Sequence, residues 1–546
     1  MLLQKLKPKT ISLHTFNLLL ALWLGIFLNI SFYEKIHFLT PYTGLKSSLF
    51  VAASVGVVVA AYYFIFQLLN WKWTAKPVAI ALIFIGGFSA YAVNSLGVLI
   101  TADQIQNLMQ TDAAEARDTW SWHLVVWTLG MTVLPIIMTC IVKIKPEPWS
   151  SQLWKKVLAS VLSLAMVVGL LFVFYVDFAA IFREHRELKA MISPQNMLAS
   201  FASYYKKQAP QEKLPLVLYG KDAHQRKMVA AHLPKLMVLV VGETARAENF
   251  SLNGYAKNTN PQLAQQQIIN FTQVSSCGTA TAVSVPCMFS GMPRTEYDPQ
   301  LASHREGLLD IAQRAGYHVT WIDNNSGCKG ACDRVEQFKI PESLQQKWCE
   351  DGECYDEILV DSLKNYLASI PKHDTQPRLI VLHQLGSHGP AYYKRVPPAF
   401  KVFKPSCETN AIQGCSQQAL LNSYDNTLRY TDHVLNGLIE TLKTNTQFQT
   451  GFWYLSDHGE STGESGMYLH GAPYAIAPTQ QTHVPMLMWF STTWQQQAAQ
   501  HMRCLAKQHQ NELSQDNLFP TLLSLLDITS EVIDPKNDML ATCTQL

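Results

Sequence analysis

The sequence is poor in charge. Asp, Glu, Lys and Arg make up only 15% of its 546 residues, against roughly a quarter in soluble domains. Neither sign is in excess: 43 Lys+Arg stand against 41 Asp+Glu, a formal net charge of +2. That excludes the strong basic excess of a nucleic-acid-binding protein. There is no internal repeat and no long low-complexity tract, and the Gln-rich patches near residues 265 and 496 are short. Solenoid, collagen and coiled-coil architectures are therefore excluded. A hydrophobic content of 48% excludes disorder. The eleven cysteines form no paired CxxC knuckles, which argues against a zinc-thiolate site.

What is present is long apolar runs, all before residue 184: Phe16–Phe32, Leu49–Leu69, Pro77–Ile100, His123–Val142 and Val157–Phe182. None contains Lys, Arg or Glu, and the one acidic residue is Asp177 near the end of the fifth. Each is about long enough to cross 30 Å of hydrocarbon as a helix. Five in succession exclude a cleaved leader followed by a soluble protein, and they outweigh the alternative of buried core helices. Lys5, Lys7, Lys9, Lys72, Lys76, Lys143, Lys145, Lys155 and Lys156 flank the spans on one side; Lys35, Lys46 and Arg117 lie on the other. Nine against three places the N-terminus in the cytoplasm, and five spans deliver the remaining chain outside.

Cysteine placement gives an independent reading. Cys140 lies inside the fourth run; the other ten, Cys277, Cys287, Cys328, Cys332, Cys349, Cys354, Cys407, Cys415, Cys504 and Cys543, all follow residue 270. An even number on the outer side, mostly in close pairs, indicates disulfides in an oxidising compartment. Spacing does not determine connectivity. Nearest-neighbour pairing is the expectation, with Cys504–Cys543 as the long-range bridge.

The expected organisation is a five-helix transmembrane domain over 1–183, a bridging segment at the membrane surface over 184–234, and a globular domain over 235–546. The bridge opens on the polar run Arg183-Glu184-His185-Arg186-Glu187, and Ser193-Pro194 reads as a turn. In the last part, strands at Leu236–Val241, His318–Ile322, Leu379–Leu385, Gly451–Leu455 and Val484–Phe490 alternate with helices near Ala280–Ser290, Gly307–Ala315, Val360–Ser369, Gln417–Leu442 and Asp516–Leu525. This predicts an α/β domain with a mostly parallel sheet covered on both faces, and functional groups beyond the C-terminal ends of the strands.

Three strand ends carry such groups: Gly242-Glu243-Thr244, Gly386-Ser387-His388-Gly389 and Ser456-Asp457-His458-Gly459-Glu460, with Leu469-His470-Gly471 following. Carboxylates and neutral imidazoles are ligands that Zn²⁺ accepts. Cys277-Gly278-Thr279-Ala280-Thr281 precedes an apolar helical stretch, where the helix N-terminus favours a phosphate. A hydroxyl there is either a nucleophile or a simple N-cap.

Glu243 in VVGET, Thr281 in SSCGTATAVSVPCMFSG, His388 in HQLGSHGPAYY, Asp457-His458 in YLSDHGES and His470 in YLHGAP together resemble the bacterial lipid A phosphoethanolamine transferases, inner-membrane enzymes of the alkaline phosphatase/sulfatase superfamily. The resemblance covers essentially the whole chain. It implies that Thr281 takes phosphoethanolamine from phosphatidylethanolamine as a phospho-threonine and passes it to a phosphate of lipid A, lowering outer-membrane negative charge and conferring polymyxin (colistin) resistance. It implies one tight zinc ion at Glu243, Asp457, His458 and the Thr281 oxygen, with a second ion possible. His388 and His470 would bind that second ion, hold the phosphoryl group or act as acid and base. Lys329 and Ser326 in DNNSGCKG would contact the phosphoryl group or the acceptor. Asn107, Thr111 and Glu115 in QNLMQTDAAE would bind the ethanolamine head group. Their spacing of four puts them on one face of a helix; Glu115 suits an ammonium and Lys329 a phosphate, though solvated charge is the alternative for both.

Two features depart from the family pattern. Cys328 and Cys332 flank Lys329, and Ala280 stands where relatives often carry Ser. Within the superfamily, a sulfatase would need a Cys-x-Pro-x-Arg-like context that is missing. A phosphodiesterase or phosphoglycerol transferase remains the alternative, and an intact residue set argues against a non-enzymatic receptor. The resemblance places the catalytic domain in the periplasm of a multi-pass protein, with a monomer expected.

Overall fold

The computed structural model describes residues 9–40, 42–111, 113–208, 214–226, 233–350, 352–541 and 543. Lys5 and Lys7 of the orientation count, and 209–213 and 227–232 of the expected bridge, lie outside them. The chain forms two compact units. One comprises residues up to Ile105 with Trp120–Lys206; the other comprises Gln106–Thr119 and the chain from Lys207 onward.

In the first unit, four helices are long and apolar enough to cross a membrane: Gly44–Leu69, Ala75–Leu96, Trp122–Ile141 and Trp149–Val173. A fifth span exists if the pair Leu13–Phe27 and Ile30–Leu39, bent by 57°, is counted as one. The first apolar run therefore does not form one straight helix. Asn29 sits at the break, where its amide Nδ2 donates to the Leu24 carbonyl at 2.8 Å and satisfies a helix-end acceptor. The last run is also divided. Its long helix begins at Trp149 and ends at Val173, and a separate helix covers Tyr175–Glu184. Lys156 is tolerated inside that long helix because its ammonium reaches the Asn70 carbonyl at 2.7 Å and lies 3.7 Å from the Trp71 ring centre.

The second unit is built on a seven-stranded sheet: β1 Lys235–Gly242, β2 Ile269–Phe271, β3 His318–Asp323, β4 Glu336–Gln337, β5 Arg378–His383, β6 Gln449–Ser456 and β7 Met486–Phe490. Their spatial order is β2-β7-β6-β1-β5-β3-β4. Pairings from β6 through β4 are parallel, while β7 runs antiparallel to both β6 and β2. The sheet is thus mostly parallel with an antiparallel edge; the short strands β2 and β4 are additions to the expected set.

Alternation explains why the central strands read as unbroken apolar runs. Met237, Leu239 and Val241 enter one core with Leu379, Val381, Trp453 and Leu455. Leu236, Val238 and Val240 enter the opposite core with Ile380, Leu382, Phe452 and Tyr454. Both faces are covered, so neither residue set can be polar. Helix Gln417–Lys443 lies on the second core, and its Tyr424 hydroxyl donates to the Thr244 carbonyl at 2.8 Å, tying the helix to the turn that follows β1.

The disulfides join Cys277–Cys287, Cys328–Cys332, Cys349–Cys354, Cys407–Cys415 and Cys504–Cys543, leaving Cys140 free and exposed. Thiol labelling of the denatured, unreduced protein is accordingly expected to modify one cysteine. Labelling of three or more would contradict the pairing.

Candidate active site

Glu243 follows β1 and Asp457-His458 follow β6, two adjacent parallel strands whose C-terminal ends emerge side by side. The loop after β5 closes over them: Gly386 has φ +57°, a Cβ there would lie 2.5 Å from the Glu243 carbonyl oxygen, and Ser387 N–H donates to that oxygen at 3.1 Å. Glu243, Asp457 and His458 are buried, and one ligand atom from each lies within 4.8 Å of the others.

Thr281 is the first residue of helix Thr281–Ser290, behind an extended Ala280. Its hydroxyl donates to Glu243 Oε2 at 3.1 Å and lies 3.2 Å from His458 Nε2. Thr279 points elsewhere, donating to the Ala472 carbonyl at 2.6 Å. Geometry thus separates two threonines that the sequence alone leaves open. His458 Nδ1 lies 2.8 Å from the Gly459 carbonyl, so Nδ1 carries the proton and the Nε2 lone pair faces the site.

This donor set fits a divalent cation. Asp457 Oδ1 accepts N–H groups of Thr244 and His458, but its buried Oδ2 has no hydrogen-bond partner and lies 3.4 Å from His458 Nε2. Burial, reinforced by the Glu243 charge, pushes the Asp457 carboxyl well above the carboxylate range. Burial would raise Glu243 too, but the imidazoles of His458, His388 and His470 outweigh it and hold Glu243 down at about 2. Burial holds His458 neutral, at about 3, with His470 adding to the effect. Two buried carboxylates, one with an unpartnered oxygen, beside a neutral imidazole are the oxygen and nitrogen donors that zinc takes.

His388 and His470 stand together, ring centres 5.3 Å apart, and His470 lies 4.5 Å from the His458 ring. His470 Nδ1 is 3.3 Å from Glu460 Oε1. His388 Nε2 is 3.5 Å from Glu115 Oε1. Burial would lower His388, but the Glu115 carboxylate overrides it and raises the ring to about 9; Glu115, which burial alone would raise, is lowered by the same pairing. A raised His contributes stability fully below its ordinary value of 6.5, and that stability is lost as pH rises through about 9. The lowered Glu115 contribution is lost as pH falls through the carboxylate range. In chelator, the melting-temperature difference between wild type and Glu115→Gln should therefore be largest near neutral pH and vanish above about pH 9. A difference that persists at pH 10 would refute the pairing.

Asn107, Glu115, Lys329 and Ser326 line one cleft with Thr281, His388 and His470. Thr111 is not among its lining residues. The expected single helical face is broken, because one helix ends at Gln110 and the next spans Ala113–Asp118; the Thr111 hydroxyl turns back to the Asn107 carbonyl at 2.9 Å. Lys329, at φ +52° between the bridged Cys328 and Cys332, points its ammonium at the Ser326 carbonyl and hydroxyl, both at 2.9 Å.

The sequence pattern gives no role to Asn325 or Asp118, and it places Glu460 only within the run Ser456–Glu460 without a role of its own. Asn325 donates to Glu243 Oε2 at 2.9 Å and to the Gln384 carbonyl at 2.7 Å, orienting the carboxylate. Its neighbours in DNNSGCKG were the only hint. Glu460, buried beside His470, has an unpartnered Oε2. Asp118, also buried, pairs with Lys394 at 2.5 Å and Arg395 at 2.6 Å; Arg395 in turn donates to the His388 carbonyl at 3.1 Å. That network fastens the segment carrying Glu115 to the catalytic unit.

A family profile described as Sulfatase matches residues 235–528, and one described as Phosphoethanolamine transferase EptA/EptB matches 58–209. Phosphoethanolamine transferase EptA of Escherichia coli K12 is 42% identical over the whole of both chains. The chain belongs to the EptA family of phosphoethanolamine transferases. Phosphatidylethanolamine transferase Mcr-1 of Escherichia coli is 35% identical over 94% of each chain. The solved integral membrane EptA of Neisseria meningitidis, a lipooligosaccharide phosphoethanolamine transferase, superposes with a TM-score of 0.93 at 36% identity, covering 98% of this chain and 99% of that one. As an EptA-family member, the chain carries the alkaline phosphatase-like domain and the N-terminal membrane region of that structure.

Proposed function

We propose that this protein moves phosphoethanolamine from phosphatidylethanolamine to a phosphate of lipid A through a phospho-threonine at Thr281. The reading rests on one observation above all: the Thr281 hydroxyl lies within 3.2 Å of both Glu243 and His458, beside an unpartnered buried Asp457 oxygen.

Glu243, Asp457, His458 and the Thr281 oxygen would hold zinc. Bound there, zinc would supply charge neutralisation and lower the pKa of the Thr281 hydroxyl. In the first half-reaction, Thr281 Oγ attacks phosphorus, the bond to the glyceryl oxygen of the donor breaks, and the Thr281 proton ends on diacylglycerol. In the second, an oxygen of the acceptor phosphate attacks the same phosphorus, the bond to Thr281 breaks, and the acceptor's proton ends on Oγ. His388, kept cationic by Glu115, is suited to give a proton to the departing oxygen and to take one from the incoming group. Lys329 supplies a positive charge to the phosphoryl oxygens, and Asn107 and Glu115 receive the ethanolamine ammonium.

The proposed setting is the bacterial inner membrane with the catalytic unit in the periplasm, where donor and acceptor are both lipids. The product lowers the negative charge of lipid A, and polymyxin (colistin) resistance follows. Two measurements test the reading. Lipid A from cells expressing the protein should gain one phosphoethanolamine unit by mass spectrometry. The protein incubated with phosphatidylethanolamine alone should carry the adduct on Thr281. Unmodified lipid A together with an unmodified Thr281 would refute it.

A further inference from the structure

Asp356 is a buried carboxylate that no role above uses. It stands immediately before helix Glu357–Ser369, the place of an N-cap, where an Asp ordinarily bonds the first N–H groups of its own helix. Among the described residues, its carboxylate caps no N–H of that helix. It reaches sideways instead, into two loops of the site. Oδ1 accepts the Leu385 N–H at 2.9 Å and the Asn324 side-chain amide at 2.8 Å, and Oδ2 accepts the Gly386 N–H at 2.9 Å. Burial pushes the carboxyl up from its ordinary value, and these three donors pull it back down. Donors of this kind are what offset the desolvation of a buried carboxylate.

Each gripped loop carries groups of the site. The loop after β5 continues from Gly386 into Ser387, whose N–H donates to the Glu243 carbonyl at 3.1 Å, and into His388, whose Nε2 lies 3.5 Å from Glu115 Oε1. The loop after β3 continues from Asn324 into Asn325, which donates to Glu243 Oε2 at 2.9 Å. Strands β5 and β3 are neighbours, so the two loops leave the sheet side by side. One short side chain from a third element thus fixes both. Two of its three bonds fall on backbone N–H groups two and three residues before His388, which leaves that imidazole little freedom to drift from Glu115.

We infer that Asp356 is a positioning residue for phosphoryl transfer: by gripping the Leu385 and Gly386 amides, it holds His388 against Glu115 and in place to serve the departing oxygen. That role rests on the acid–base function proposed for His388 and adds what keeps the ring in position.

A double-mutant cycle on the full-length protein, with zinc and in detergent, tests it. Diacylglycerol release from phosphatidylethanolamine is measured for wild type, Asp356→Asn, His388→Ala and the double variant. Asparagine keeps the shape but offers one acceptor oxygen where three donors converge. Asp356→Asn should therefore slow release by roughly 10- to 100-fold, the scale of a misplaced reacting group. In the His388→Ala background the same substitution should slow it by less than about threefold. Equal slowing in both backgrounds would reduce Asp356 to a folding role and overturn the inference, as would wild-type release by Asp356→Asn. A second measurement needs no variant: amide hydrogen exchange of the wild-type protein should find Leu385 and Gly386 protected. Exchange there at the rate of solvent-exposed loops would also overturn it. Wild-type release by His388→Ala would instead bring down the acid–base function of His388, and the positioning role with it.

Discussion

Thr281→Ala should eliminate transfer, by a factor of at least about 10³, while the protein folds and retains the neighbouring carboxylates and imidazole. The hydroxyl is the one group that donates to Glu243 at 3.1 Å and reaches His458 at 3.2 Å. Its removal takes away the proposed attacking atom and leaves Glu243, Asp457 and His458 in place. Thr279→Ala provides the control. That hydroxyl is bonded to the Ala472 carbonyl rather than to Glu243 or His458, so its loss should cost about 1 kcal/mol of stability and little activity. Lipid A mass spectra and polymyxin survival of cells expressing each variant measure the first effect. Thermal melting and zinc content of the purified proteins establish that the fold and the metal pocket persist. Near-wild-type transfer by Thr281→Ala would end the covalent mechanism.

Asp457→Asn should move stability and activity in opposite directions. Asp457 is buried with one oxygen that has no hydrogen-bond partner, close to the buried Glu243 carboxylate. Burial and that neighbouring charge push its carboxyl well above the usual range. A raised acid binds more protons folded than unfolded, so the metal-free protein loses stability as pH climbs above the ordinary carboxylate range. Asparagine removes the charge and keeps the shape. In chelator at neutral pH, the variant should melt about 2 °C or more above wild type. With zinc the order reverses: wild type gains stability by mass action, the variant gains little, and transfer falls by about 10²-fold or more. Melting curves with chelator and with added zinc, on both proteins, decide the matter. A variant less stable than wild type in chelator would show that the pocket is not electrostatically strained in the absence of a cation.

Much of this architecture was legible before any coordinates. The central strands declared themselves because a parallel strand buried on both faces has no polar positions, and Leu236–Val241 has none. Glu243, His388 and Asp457-His458 were legible because each follows such a run and adjoins a glycine, the pattern of a strand ending at a ligand. Asn325 was invisible for the opposite reason. An asparagine in a Gly- and Cys-rich loop reads as a turn residue, and only folding carries it to within 2.9 Å of Glu243. The spans were found as apolar runs, yet their breaks were not, because Asn29 and Phe174 terminate helices through local hydrogen bonding and dihedral angles to which hydropathy is blind.

The segment around Glu115 marks the boundary between the two kinds of information. Apolar length, strand–helix alternation and cysteine placement determined from sequence alone that this is a membrane protein with an α/β domain and a disulfide-bridged C-terminal region, because burial, membrane insertion and oxidation act on composition and period. Only the tertiary structure decided that Gln106–Thr119 belongs with the second unit, that the Thr111 hydroxyl bonds back to the Asn107 carbonyl while Glu115 meets His388, and that Thr281 rather than Thr279 meets Glu243. The Thr111 bond is local, but the other outcomes hinge on pairings between residues 38 to 277 positions apart in the chain, such as Thr281 with Glu243 and Asp118 with Arg395. No local pattern encodes such partners; they are selected by the low dielectric of the folded interior, where an unpaired charge is too costly to leave.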